Sequence, residues 1–220
     1  MFNYFTTLCI LLVTVTASAQ SRETLATDTI YRIRLCADVP DNQHPDRVYY
    51  KGEPGHVFLV LERSNSISQW CESIVWGFYP VKPVSCLLFR KTRSRLVDNS
   101  NRSYDASIEK QITKNDFLTI ASQAVWLSKK KYHINRYNCY HYAVELFNLV
   151  ASETRLPVNS IKFPFPFGKG GSPCVLYRDL QALKKENGPL AYMIHMEPGE
   201  APVMHASKQQ TTVLVSKNNF

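Results

Sequence analysis

The sequence predicts an α+β domain, an antiparallel sheet packed against helices. Two observations carry this. The segments His56–Leu61 and Ser73–Tyr79 are almost continuously apolar, have strand length, and are separated by a polar turn around Ser64-Asn65-Ser66. That is the pattern of a hairpin near the centre of a sheet covered on both faces. Further along, Phe117, Ile120, Ala121, Ala124 and Leu127 recur at helical spacing, as do Ala143, Leu146, Phe147 and Val150. Each set marks a helix that buries one face.

The other elements follow in chain order. Tyr31-Arg32-Ile33-Arg34-Leu35 alternates apolar and basic, a strand with one wet face. Asp38 to Pro54 is rich in Pro, Asp, Asn and Gly and reads as a loop. Residues 90–102 are basic and polar and read as a loop as well. From Tyr104 to Gln111 alternation returns, with Ala106 and Ile108 on one side and Asp105, Ser107 and Glu109 on the other: a more peripheral strand. Thr113-Lys114-Asn115-Asp116 opens a helix, because the hydroxyl can accept from the backbone N–H three residues on and the acid sits at the positive end of the dipole. The second helix is expected over Asn138–Val150, and its apolar stripe, extended back four residues, lands on Cys139. Phe163-Pro164-Phe165-Pro166-Phe167-Gly168 is broken throughout by Pro and Gly and reads as an apolar loop. A last helix is expected over Cys174–Leu183, then a polar tail.

The ends and the composition narrow the setting. Leu8–Val15 is a short apolar run followed by Ala17-Ser18-Ala19, the pattern of a secretory signal peptide over 1–19, cleaved after Ala19. One domain is expected over 28–195, with a flexible tail over 196–220. A cleaved signal implies a secreted or periplasmic protein with no remaining transmembrane segment. The net charge of +8 favours anionic polymers, phospholipid head groups or nucleic acid. The basic residues lack the aromatic-interleaved stripe of nucleic-acid binders, so no nucleic-acid partner is expected. The oligomeric state is open.

Five cysteines follow the signal segment: Cys36, Cys71, Cys86, Cys139 and Cys174. An odd number leaves at least one thiol free in an oxidising compartment. The other four allow three pairings, or none. No Cys-x-x-Cys or His-x3-His spacing occurs, so no metal is expected. Lys169 lacks the Gly and Ser/Thr spacing of a phosphate-binding loop, so no nucleotide cofactor is expected either.

Cys139 is the residue with the strongest chemical prospects. If Asn138 caps the helix, Cys139 is its first residue, where unpaired N–H groups favour a thiolate and can hold an oxyanion. An imidazole must take the thiol proton. His56, at the start of a buried strand, is the best source. His141 lies two residues along the same helix and points to a different face, and His133 precedes the helix by six residues. His44, His195 and His205 lie in polar surroundings. Against this stands the common role of a buried cysteine as a small apolar filler.

Gly55-His56-Val57-Phe58-Leu59, then Trp76-Gly77-Phe78-Tyr79-Pro80, then Tyr137-Asn138-Cys139-Tyr140-His141-Tyr142-Ala143 resembles the circularly permuted papain-like enzymes. These are the permuted NlpC-type group, which includes lecithin:retinol acyltransferase-like proteins. In that group the His strand precedes the helix that opens on Asn-Cys. The resemblance spans residues 50–157 and implies a permuted papain-like fold and a thiol hydrolase or acyltransferase, with Cys139 as nucleophile and His56 as base. Such enzymes usually orient the imidazole with a third polar residue. Glu62 has the side-chain parity of His56 but lies about 20 Å along the strand at ~3.3 Å per residue. Glu72 and Ser73 are the other candidates.

Three functions are therefore expected in competition. The first is a secreted cysteine hydrolase cleaving an amide bond in peptidoglycan peptides. The second keeps the site but takes a lipid or acyl ester, with the Phe163–Phe167 loop holding the acyl chain. The third is a catalytically inactive binding module on the same scaffold.

Overall fold

The computed structural model describes residues 29–65, 67, 69–84, 91–150, 155–164 and 166–203. The expected signal segment, Cys86 and most of the expected tail lie outside the described residues.

The chain is α+β. Its main sheet has six antiparallel strands: β1 (Thr29–Asp38), β2 (His56–Asn65), β3 (Trp70–Pro80), β4 (Ser94–Asp98), β6 (Ala106–Ile112) and β9 (Ile194–His195), in the order β4-β3-β2-β1-β6-β9. β5 (Ser103–Tyr104) pairs with β10 (Gly199–Glu200), and β7 (Ile161–Lys162) with β8 (Lys169–Gly170). Three helices, α1 (Lys114–Leu127), α2 (Cys139–Phe147) and α3 (Pro173–Lys185), pack on one face of the sheet.

Strand alternation divides the side chains between two faces. Ile33, Leu35 and Ala37 of β1, Val57, Leu59 and Leu61 of β2, and Trp76 and Phe78 of β3 join the helices in the main core. Phe58, Val60, Val75 and Cys36 point the other way into a smaller cluster that includes Ala201. The wet face expected for β1 is neutralised by cross-strand pairs. Arg32 lies opposite Glu62 and donates to it at 3.1 Å, and Arg34 lies opposite Glu109 and donates through Nε at 2.7 Å.

The expected β2–β3 hairpin forms, with Phe58 opposite Gly77 and Asn65 opposite Trp70. Thr113 caps α1 in a reciprocal box with Asp116. The second helix is more deeply set than a one-face stripe requires: seven of the nine residues of α2 are buried. It wedges between the sheet and its neighbours, and its last turn tightens into a 3-10 turn, Asn148–Val150.

One expectation is corrected. The stretch 90–102 contains β4, because Leu96 and Val97 pair with Phe78 and Gly77 at the sheet edge despite the polar residues around them. The fold also continues past residue 195. The Asn101 N–H donates to Ala201 O and the Ala201 N–H to Arg102 O, tying residue 201 to the turn after β4.

Gly171 shows how tightly α2 is packed. A Cβ there would lie 2.0 Å from Tyr140 Cδ1, in the ring of a fully buried tyrosine. Gly171→Ala is expected to destabilise the protein by about 2–3 kcal/mol, the cost of overpacking a rigid core. Urea unfolding measures this directly, and an unchanged midpoint would show that the Tyr140 ring moves aside freely.

Candidate active site

The first turn of α2 is built by Asn138. Its Oδ1 accepts from the Tyr140 N–H at 3.0 Å and the His141 N–H at 3.4 Å. Its Nδ2 donates to Ile134 O at 2.8 Å and Gly171 O at 2.7 Å. The Tyr142 N–H goes to Asn138 O. The cap thus consumes the amides of Tyr140, His141 and Tyr142, and the Cys139 N–H is the first-turn donor it does not use. Asn138→Ala removes both functions of a buried side chain, so a loss of about 2–4 kcal/mol is expected, one cap plus stranded carbonyls. Thermal unfolding should show it, whereas a cost within 0.5 kcal/mol would mean that water replaces the amide completely.

Cys139 is 7 % exposed. Burial pushes its thiol pKa above the ordinary value; hydrogen-bonding contacts with the backbone of Val57 and Tyr140 and with the Tyr132 side chain, and the charge of Arg102, act in the opposite direction. The resting thiol is therefore protonated at neutral pH.

His56 opens β2 and is 4 % exposed. By strand parity its ring shares the side of Phe58, away from the helices, while the Cys139 thiol lies against the backbone of Val57. Both side chains line one cavity of about 700 Å³ at this end of the sheet. The imidazole stacks on Tyr79 with ring centres 4.2 Å apart. Burial holds its pKa well below 6.5, and the Arg102 charge lowers it further, so it is neutral.

The remaining histidines are differently placed. The His141 ring joins the Asn138 cap, Nδ1 to Oδ1 at 3.0 Å. His133 Nδ1 accepts from the Asn135 N–H at 3.1 Å, and His44 pairs with Asp41 at 3.0 Å. His195 lies in the edge strand β9, and His205 is outside the described residues. Of the described histidines, His56 lines the cavity with Cys139.

Glu62 and Glu72 do not reach His56: they are paired with Arg32 and Arg63. Ser73 lies opposite Glu62, equally far along the strand. The structure instead places Asn99, from the turn after β4, beside the imidazole. Two buried side-chain atoms here have no hydrogen-bond partner, His56 Nε2 and Asn99 Oδ1. A Cβ at Gly77 would lie 2.7 Å from the first and 2.3 Å from the second. The two orphans therefore flank the same glycine, and the absence of a side chain there lets them approach. Asn99 is held in turn: its Nδ2 donates to Tyr79 Oη at 3.0 Å, as does Arg102 Nη1 at 3.3 Å. Arg102 Nε donates to Asp38 at 2.9 Å. Asn99, Tyr79, Arg102 and Asp38 thus form a polar chain behind the ring, which the sequence reading missed. The one local signal was Gly77, an unexplained glycine inside an apolar strand.

Tyrosine, phenylalanine and proline make up nearly half of the cavity wall, Tyr49, Tyr132, Phe163, Pro164 and Phe167 among them. Phe165 lies outside the described residues. Among the described residues no cluster of His, Cys, Asp or Glu could hold a metal, and Cys36, Cys71, Cys139 and Cys174 are free thiols. Among them, too, no helix is long and apolar enough to cross a membrane. Comparisons with protein-family models, curated proteins and solved structures find no match to this chain.

Proposed function

We propose that the protein is a secreted cysteine hydrolase of permuted papain-like type, with Cys139 as nucleophile, His56 as base and Asn99 as the residue that positions the base. The observation that carries this is the cavity shared by a thiol at a capped helix start and a buried imidazole, with Asn99 Oδ1 unpaired beside that ring. Neither His56 Nε2 nor Asn99 Oδ1 has a partner at rest; a small ring movement that lets Nε2 donate to Asn99 Oδ1 would make Nδ1 the accepting nitrogen. That leaves Nδ1 to take the thiol proton.

The reaction then runs through acyl transfer. Cys139 Sγ gives its proton to His56 Nδ1 and bonds to the substrate carbonyl carbon. The Cys139 N–H and the Tyr132 hydroxyl stabilise the oxyanion. The carbon–nitrogen bond breaks as His56 protonates the departing amine. Water, deprotonated by His56, cleaves the thioester and restores the thiol. The substrate proposed is the amide bond of peptidoglycan peptides, in keeping with the signal segment expected over 1–19. A lipid or acyl ester is the second reading, favoured by Phe163 and Phe167 in the cavity wall. An inactive binding module would instead give no release from either substrate.

Release of fragments from purified muropeptides, set beside fatty acid release from phospholipid vesicles, separates the readings. The acid limb of kcat/KM reports the free base. His56 must be neutral to work, and its pKa is lowered, so activity should persist below pH 6.5 and fall only well beneath it. A limb at or above pH 6.5 would show that the buried His56 is not the group that titrates.

A further inference from the structure

The mouth of the cavity has a character of its own. Three segments border it, and each carries exposed apolar and basic side chains together. The first, before β2, presents Tyr49, 59 % exposed, beside Lys51. The second, after β3, presents Val81 and Val84, 43 % and 69 % exposed, around Lys82. The third is the β7–β8 hairpin, with Pro164 exposed at its turn and Lys162 facing Lys169 at its base. Arg95 also lines the cavity and is exposed. Against these stand Glu53 at the rim and Asp46 further along the first segment.

We infer that this rim is a docking surface for an anionic lipid bilayer. Apolar tips that enter the headgroup region, interleaved with lysines that meet its negative charge, are what interfacial binding requires. Single exposed valines are ordinary on a protein surface; here Val81 and Val84 flank Lys82 on a segment that borders the cavity. The net charge of +8 adds long-range attraction to such a surface. Docking in this pose would set the cavity opening against the membrane. It needs no chemistry at Cys139 and stands or falls independently of the hydrolase reading.

The test is co-sedimentation of the folded Cys139→Ala chain, which cannot alter the lipid, with vesicles of phosphatidylglycerol and phosphatidylcholine or of phosphatidylcholine alone. Partition is expected to be at least tenfold higher on the anionic vesicles and to fall with added salt. The double variant Lys82→Glu/Val84→Glu is expected to lose at least tenfold of it. Lys185→Glu, at the far end of α3 from the cavity, should stay within twofold, and circular dichroism confirms that both variants are folded. Equal partition on the two vesicle types, no partition on either, an equal loss in Lys185→Glu, or retention on isolated peptidoglycan sacculi without retention on vesicles would each overturn the proposal.

Discussion

A chain in which alanine replaces Cys139 is expected to lose turnover of its substrate by at least 10³-fold while keeping its fold. The magnitude follows from the role. A nucleophile that forms the covalent intermediate has no substitute, and only binding and oxyanion contacts are left behind. The structural cost is small, because the change removes a single buried sulfur and leaves the Asn138 cap in place. Circular dichroism and urea unfolding should therefore match the wild type to within about 1 kcal/mol. Turnover of muropeptides followed by mass spectrometry gives the activity. A fully active Cys139→Ala would return the cysteine to the role of apolar filler.

Gly77→Ala should be nearly as damaging to activity, although residue 77 carries no chemistry. The new methyl would sit 2.3 Å from Asn99 Oδ1, 2.5 Å from Tyr79 Cε2 and 2.7 Å from His56 Nε2. All three lie far inside contact distance, and each belongs to the assembly proposed to orient the imidazole. The strand cannot retreat, because β3 is paired on both sides, with Phe58 on β2 and Val97 on β4 opposite Gly77. The ring and Asn99 must therefore separate. Activity is expected to fall at least 10²-fold, the scale on which small misplacements of catalytic groups are felt. The added cost in stability is about 1–3 kcal/mol. Gly188→Ala, where a Cβ meets nothing within 4 Å, supplies the neutral comparison. Unchanged kcat/KM in Gly77→Ala would mean that the working imidazole is not the one beside Gly77.

What could be read from the sequence was what local chemistry determines. The cap at Asn138 and the burial of Cys139 follow from short-range rules, since the cap, the first turn and the apolar spacing all lie within one helix. The alternation of β1 and the apolar runs of β2 and β3 fix their faces in the same way. β4 escaped because a partner strand, not its own composition, makes Ser94–Asp98 extended. Asn99 escaped for the same reason: it comes to the Gly77 side of His56 only through the pairing of β3 with β4, a long-range event. Along the strand that holds His56 and at the start of the next, the polar candidates are Glu62, Glu72 and Ser73. Glu62 and Glu72 were already claimed there by Arg32 and Arg63, while the turn beyond β4 supplied an unpaired oxygen. Past residue 195, Gly199–Ala201 is held by backbone bonds to Asn101, Arg102 and β5, long-range pairings that polarity does not reveal.

Cys139 Sγ is proposed to take the acyl group, with His56 as its base. Acid-quenching the wild-type protein during turnover of purified muropeptides, followed by peptide mapping, tests this most directly. A thioester adduct is expected on the peptide that contains Cys139, and its loss together with turnover in His56→Ala. Turnover at the wild-type rate in His56→Ala, or cleavage with no adduct at Cys139 and full activity in Cys139→Ala, would contradict it.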